Sequence, residues 1–151
     1  MANIIIKVQQ QDFDFASEVD ILEAHNQSDG ALVTFVGRVR NNNDGEQISQ
    51  LTLEHYPGMT EQCLQHIAEQ ACQRWQLGRI TIIHRVGDLA VGDKIVFVGV
   101  TSKHRKDAYQ GNEFIMDYLK VNAPFWKKEN TSRGERWVSA KHSDNQEANK
   151  W

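Results

Sequence analysis

The segment Phe114 to Glu129, FIMDYLKVNAPFWKKE, sets three lysines among aromatic and large aliphatic residues around a single proline. Lysine is ordinarily a solvated residue. A lysine flanked by Phe125 and Trp126 can sit instead in a partly dry wall, where its pKa falls and it becomes useful as an acid, a base, an anion holder or a nucleophile. Pro124 disfavours helical backbone at the residue before it, so a helix through Phe114 to Lys120 should end near Asn122 or Ala123. Lys120 then stands in the last turn, with Lys127 and Lys128 just past the break. Lysines in this place also suit plain capping of a helix C-terminus.

Other basic residues fall at element ends. Ser102-Lys103-His104-Arg105 lies where a strand gives way to a helix. The first turn of a helix presents free NH groups and partial positive charge, an anion site that an Arg and a His would strengthen with charge-assisted bonds. Arg38 and Arg40 close a strand just before Asn41 to Asn43. The run Leu53 to Met59, LEHYPGM, reads as a strand-to-helix turn in which Pro57 and Gly58 serve the turn.

The elements that must position these groups follow from periodicity. Asn3 to Val8, Ala31 to Arg40, Ile48 to Tyr56, Arg79 to Val86, Lys94 to Thr101 and Glu135 to Ala140 read as strands. Ala31–Arg40 and Ile48–Tyr56 read as a hairpin across the polar turn Asn41 to Gln47, and GDLAVGD as the turn joining the next two strands. Phe15 to His25 is a weak helix. Thr60 to Trp75 is the clearest one, with Leu64, Ile67, Ala68, Ala71 and Trp75 at three- and four-residue steps. His104 to Asn122 is the third. The polar tail from Ser143 should fray. The order suggests an α+β fold with a mixed or antiparallel sheet.

The 151 residues, 40% hydrophobic and 25% charged, fit one domain with a sizeable core. No apolar run is long enough to span a membrane, and the N-terminus lacks a signal-peptide layout, so a cytoplasmic location is expected. Cys63 and Cys72 fall on opposite faces of one helix and should not bridge. The histidines show no HxxxH or HxH spacing, and no metal site is indicated. The net charge of −3 conceals an asymmetry: residues 1–30 carry one Lys against six Asp/Glu, residues 103–141 nine Lys/Arg against five Asp/Glu. An anionic small molecule or an acidic partner therefore suits the chain better than a neutral one. Nucleic acid is disfavoured by a pI near 6.1 and by the absence of GxGxxG, P-loop and aromatic–basic repeats.

The segments VTFVGRVR, LTLEHYPGM, RWQLGRITIIHRVGDL, GDKIVFVGVTSKHR, FIMDYLKVNAPFWKKE and GERWV, in this order from Val33 to Val138, closely resemble the large, catalytic subunit of molybdopterin synthase. The resemblance implies an α/β-hammerhead-like core with an added antiparallel β subdomain. It implies a homodimer within a 2:2 heterotetramer, each large subunit binding one small ubiquitin-like sulfur-carrier subunit. The implied reaction converts cyclic pyranopterin monophosphate into molybdopterin, with sulfur from a thiocarboxylate at the carrier's C-terminus and no cofactor. Imported sulfur accords with two cysteines that lack a nucleophile setting.

Carried over by position, Lys120 is the leading catalytic residue, moving a proton and polarising the precursor as the carrier's sulfur attacks, and Lys127 lines the same pocket and steadies charge on the substrate or the thiocarboxylate. Arg40, His104 and Arg105 match anion-binding positions. Arg38, Val39, Lys128 and Glu129 flank them. Lys141 stands where a basic residue would reach into a neighbouring subunit's site, although Lys lacks the bidentate fork of Arg. A non-catalytic module that docks a ubiquitin-like tail is the alternative, and it would have no use for both Lys120 and Lys127.

Overall fold

The computed structural model describes residues 3–138 and 142–151. Its elements run β1 (Asn3–Gln9), α1 (Phe15–Glu23), β2 (Ala31–Arg38), β3 (Asn42–Asn43), β4 (Glu46–His55), α2 (Met59–Arg74), β5 (Arg79–Arg85), β6 (Gly87–Ala90), β7 (Lys94–Ser102), α3 (Arg105–Asn122), β8 (Phe125–Thr131), β9 (Gly134–Val138) and α4 (His142–Asn149). The fold is α+β, built on two sheets. The first has the order β1-β5-β7-β2, with β1 parallel to β5 and the other pairs antiparallel. The second is antiparallel, in the order β3-β4-β8-β9, with β6 also paired to β4. A core and an antiparallel subdomain were expected, and both are present.

Helices α2 and α3 lie on one face of the first sheet. Their periodic residues Leu64, Ile67, Ala68, Ala71, Ile115 and Leu119 bury against Ile80, Ile82, Val96, Val98 and Val100. The other face takes α1 through Phe13, Leu22, Ile83 and Phe97. Asp14 caps α1, its carboxylate accepting from the Ser17 backbone NH at 3.2 Å. Gly99 is needed where α1 crosses β7, since a Cβ there would lie 2.4 Å from Leu22 Cδ1. Buried Asn112 pins α3 to the sheet, its amide donating to the carbonyls of Val33 at 3.0 Å and Val98 at 2.9 Å.

The expected hairpin of Ala31–Arg40 with Ile48–Tyr56 does not form. β2 pairs with β7 and β4 with β8. The cause lies at Val39, which is buried and whose backbone bonds to Asp93 O at 2.9 Å and from Gly92 N at 2.8 Å. That anchor turns the chain out of the first sheet. The apolar residues of β4, Leu51 and Leu53, then join a separate cluster with Val39, Val86 and Leu89. Part of the supposed GDLAVGD turn is itself a strand, β6, registered on β4.

Beyond β6 and the two-residue β3, β8 and α4 were not anticipated either. β8 follows Pro124 directly, and α4 occupies the stretch expected to fray. α4 packs on α3, and Trp151 beyond it sits edge-on to Trp75 and Phe114 at 5.3 and 5.8 Å, with its Nε1–H donating to Asp117 at 2.6 Å. Lys150 bonds Glu113 and Glu147 nearby at the surface. Apolar packing outweighs exposed ion pairs in this corner. Trp151→Ala should therefore cost about 2–4 kcal/mol, and Lys150→Ala no more than about 1 kcal/mol, in urea unfolding followed by circular dichroism. Equal losses would contradict this ranking.

Candidate active site

The helix α3 ends as Pro124 requires: Asn122 is its last residue and Ala123 has turned to φ −72°, ψ 131°. Thr60 fixes the exit, its hydroxyl donating to Pro124 O at 3.1 Å. The chain then runs straight into β8, where side chains alternate between two faces. Phe125, Lys127 and Glu129 turn inward. Trp126 and Lys128 turn outward, with Trp126 48% exposed.

The inward face closes a cavity of about 320 Å³ at the seam of the two sheets, lined among others by Arg38, Val39, Arg40, His84, Lys120, Phe125, Lys127, Glu129 and Asp144. The sheets meet where His84 of β5 stacks on Phe125 of β8, ring centroids 3.8 Å apart and planes 19° apart.

Lys127 is the drier of the two lysines. Its pKa is pushed down to about 8, chiefly by burial and then by the charge of Lys120, against a smaller opposing pull from Asp144 and Glu129. Lys120, in the last turn of α3, is exposed at the mouth of the cavity. Arg40 is exposed on the same rim. Arg38 also lines the cavity, but its guanidinium is tied to Gly92 O, at 3.1 Å from Nε and 2.8 Å from Nη2.

Glu129 is buried and both its oxygens are engaged. Asn43 Nδ2 donates to one at 2.9 Å and Arg136 Nε to the other at 3.0 Å. Arg136 also reaches Asn43 O at 3.1 Å. Glu129 is thus a clamp joining β3, β8 and β9 behind the lysines.

Three expected site residues do not come together here. Lys128 points to the opposite face of β8, where it pairs with Glu135 at 3.6 Å and lies 5.7 Å from the Trp137 ring; strand alternation forbids it from sharing the face of Lys127. His104 stands at the N-cap position of α3 without a side-chain cap bond and Arg105 begins the helix, which rises about 24 Å from there to Lys120. Arg40 is therefore separated from the other two members of its anion trio within one chain. Lys141 lies outside the described residues. Sequence reasoning missed His84, Asn43 and Asp144 as cavity residues. The two-residue period of a strand puts His84 on the face of Ile80 and Ile82, whereas Asp144 reaches the cavity only because α4 folds back.

The cavity is thus cationic at its rim and holds one amine whose pKa is pushed down to about 8. The sequence matches the MoaE protein family over residues 8–122, and the chain belongs to that family. It is 55% identical to the molybdopterin synthase catalytic subunit of Escherichia coli K12 across the whole of both chains. Among solved structures it resembles the molybdopterin biosynthesis MoaE protein of Burkholderia ambifaria, at 48% identity and TM-score 0.84, covering 100% of this chain and 98% of that one. It also resembles the molybdopterin synthase of Staphylococcus aureus, at 32% identity and TM-score 0.78, covering 91% and 96%.

The shift of Lys127 is also a stability statement. The unfolded chain holds this proton up to about 10.5 and the folded chain only up to about 8, so folding is disfavoured at neutral pH by about 3 kcal/mol from this group, and stability should rise between pH 8 and 10.5. Burial raises the thiols of Cys63 and Cys72, which works in the opposite sense as pH rises. Urea unfolding of the native chain and of Lys127→Met across this range isolates the lysine. Only the native chain should show the rising component, and parallel curves would contradict it.

Proposed function

We propose that this chain is the catalytic subunit of a molybdopterin synthase, a cytoplasmic sulfurtransferase. It moves sulfur from the thiocarboxylated C-terminus of a small ubiquitin-like carrier to cyclic pyranopterin monophosphate, forming the dithiolene of molybdopterin. The observation that carries this reading is the Lys120–Lys127 pair in a half-dry cavity, on a chain of the MoaE family. No helix among the described residues is long and apolar enough to cross a membrane.

The reaction brings two anions together, a thiocarboxylate and a phosphate. Their repulsion must be offset by fixed positive charge, which costs no reorganisation at the moment of transfer. Arg40 and Lys120 at the rim supply it. In this reading Lys127, rather than Lys120 as expected from the resemblance, takes the proton-transfer role, because an amine near 8 has both protonation states accessible at neutral pH. Lys120 contributes charge that steadies the anions and holds Lys127 down. β8 is hydrogen-bonded to β4 along Phe125–Thr131 and to β9 along Lys127–Thr131. The carrier's extended tail therefore enters across the face of this sheet rather than by adding a strand to β8.

The phosphate trio of Arg40, His104 and Arg105 is completed in our reading by the homodimer, with His104 and Arg105 of the partner subunit meeting Arg40 at each cavity. Trp137, 58% exposed beside Trp126, leaves apolar surface for such assembly. Lys141 is a further candidate for reaching across the dimer.

Incubation with cyclic pyranopterin monophosphate and thiocarboxylated carrier, read by mass spectrometry, tests the function: two sulfurs should be added by the native chain and almost none by Lys127→Ala or Lys120→Ala. Native chain that adds no sulfur, or folded lysine variants that turn over normally, would overturn the assignment. Mixing Lys127→Ala with Arg105→Ala tests the shared site, since a mixed dimer holds one complete cavity. Random exchange should restore about a quarter of native activity. No recovery after verified exchange would place Arg105 outside the shared site.

A further inference from the structure

Of the charged groups lining the cavity, Arg40, Lys120 and Lys127 are donors when protonated, and Asp144, whose charge acts on Lys127, is an acceptor. A pterin ring carries N–H groups of its own, and these need acceptors. Glu129 cannot serve, because Asn43 and Arg136 hold both its oxygens. His84 can. It is 4% exposed and lines the cavity. Its Nδ1 lies 2.8 Å from the carbonyl of Arg85. A carbonyl only accepts, so Nδ1 carries the hydrogen and Nε2 is left as a bare lone pair. The stacking on Phe125 fixes the plane of the ring. The ring's contact to the Arg85 carbonyl runs through Nδ1, which leaves Nε2 on the other edge of the ring.

The ring also stays in this state. Burial pushes His84 down to about 3, against the pull of its bond to the Arg85 carbonyl, and the groups facing it, Lys127 from β8, Lys120 from α3 and His55 from β4, oppose a further positive charge as well. Neutral in the physiological range, the ring offers an acceptor rather than a proton.

The geometry points to His84 as a specificity-determining residue: its Nε2 accepts a hydrogen bond from a ring N–H of the substrate, at the end of the ligand away from the cationic rim. This inference rests on the function proposed above and adds the orientation of the heterocycle within the cavity.

Calorimetric binding of cyclic pyranopterin monophosphate to the native chain and to His84→Phe provides the test. Phe keeps the ring and its stacking and removes the acceptor. The expected result is a precursor Kd raised about tenfold, equivalent to one hydrogen bond of about 1.4 kcal/mol, with carrier affinity unchanged. His84→Gln, whose amide oxygen can reach the place of Nε2, should regain most of the loss, and His84→Asn, which reaches only the place of Nδ1, should not. The difference between the native chain and His84→Phe should be constant from pH 6 to 8.5. Unchanged precursor affinity in folded His84→Phe, or in His84→Asn should Phe not fold, would overturn the inference, as would a difference that titrates near 6.5. Failure of the native chain to bind precursor at all would instead overturn the function on which it rests.

Discussion

Everything at this site turns on holding the ammonium of Lys127 in a dry wall beside a second ammonium. Neither condition is favourable. Burial disfavours the charge, Lys120 disfavours it further, and the structure gives up about 3 kcal/mol of stability at neutral pH to keep it there. The surrounding elements make that arrangement tolerable. β8 is secured along Lys127–Thr131 by strands on both sides, and the buried Glu129 clamp ties β3, β8 and β9 into one rigid backing. A lysine on a loose loop would swing into water and return to its ordinary pKa. Rigidity behind the site is what preserves its chemistry.

The division of labour between the two sheets follows from the same constraint. The first sheet, covered on both faces, carries the apolar core. The second carries the lysine and its clamp, and it has an open outer face with Trp126 and Trp137. The cavity falls at the joint, where the His84–Phe125 stack locks one sheet to the other. α3 spans the molecule, with His104 at its start and Lys120 in its last turn. In the proposed homodimer one helix would serve two sites, an anion contact at one end and a cavity lysine at the other. A homodimer gives that length a purpose that a single chain does not.

Much of this was legible in the sequence, in proportion to how local the physics was. Pro124 stops α3 where steric exclusion at the preceding residue says it must. The 3.6-residue stripe of α2 buries as its spacing requires. Lys120 and Lys127 do share a cavity. What could not be read was long-range. The strands β2 and β4 alternate well enough to suggest a hairpin, and only the tertiary anchor at Val39 separates them. β8 was hidden because its inward residues include Lys127 and Glu129, so the usual apolar-in pattern is broken at the functional positions. Lys128 was grouped with Lys127 by adjacency, where the pleat places them on opposite faces. His104 and Arg105 were grouped with Arg40 by the family resemblance, and the length of one helix parts them within a chain.

The central claim is that Lys120 and Lys127 act as a coupled pair that places one amine near neutrality. Direct titration of the Lys127 ε-amine, by NMR of the reductively ¹³C-methylated protein with the resonance assigned by Lys127→Arg, tests it most closely. The account predicts a midpoint near 8 in the native chain and a higher midpoint in Lys120→Ala, because the repelling charge has gone. A native midpoint near the ordinary lysine value of about 10.4, or one unmoved by Lys120→Ala, would contradict it.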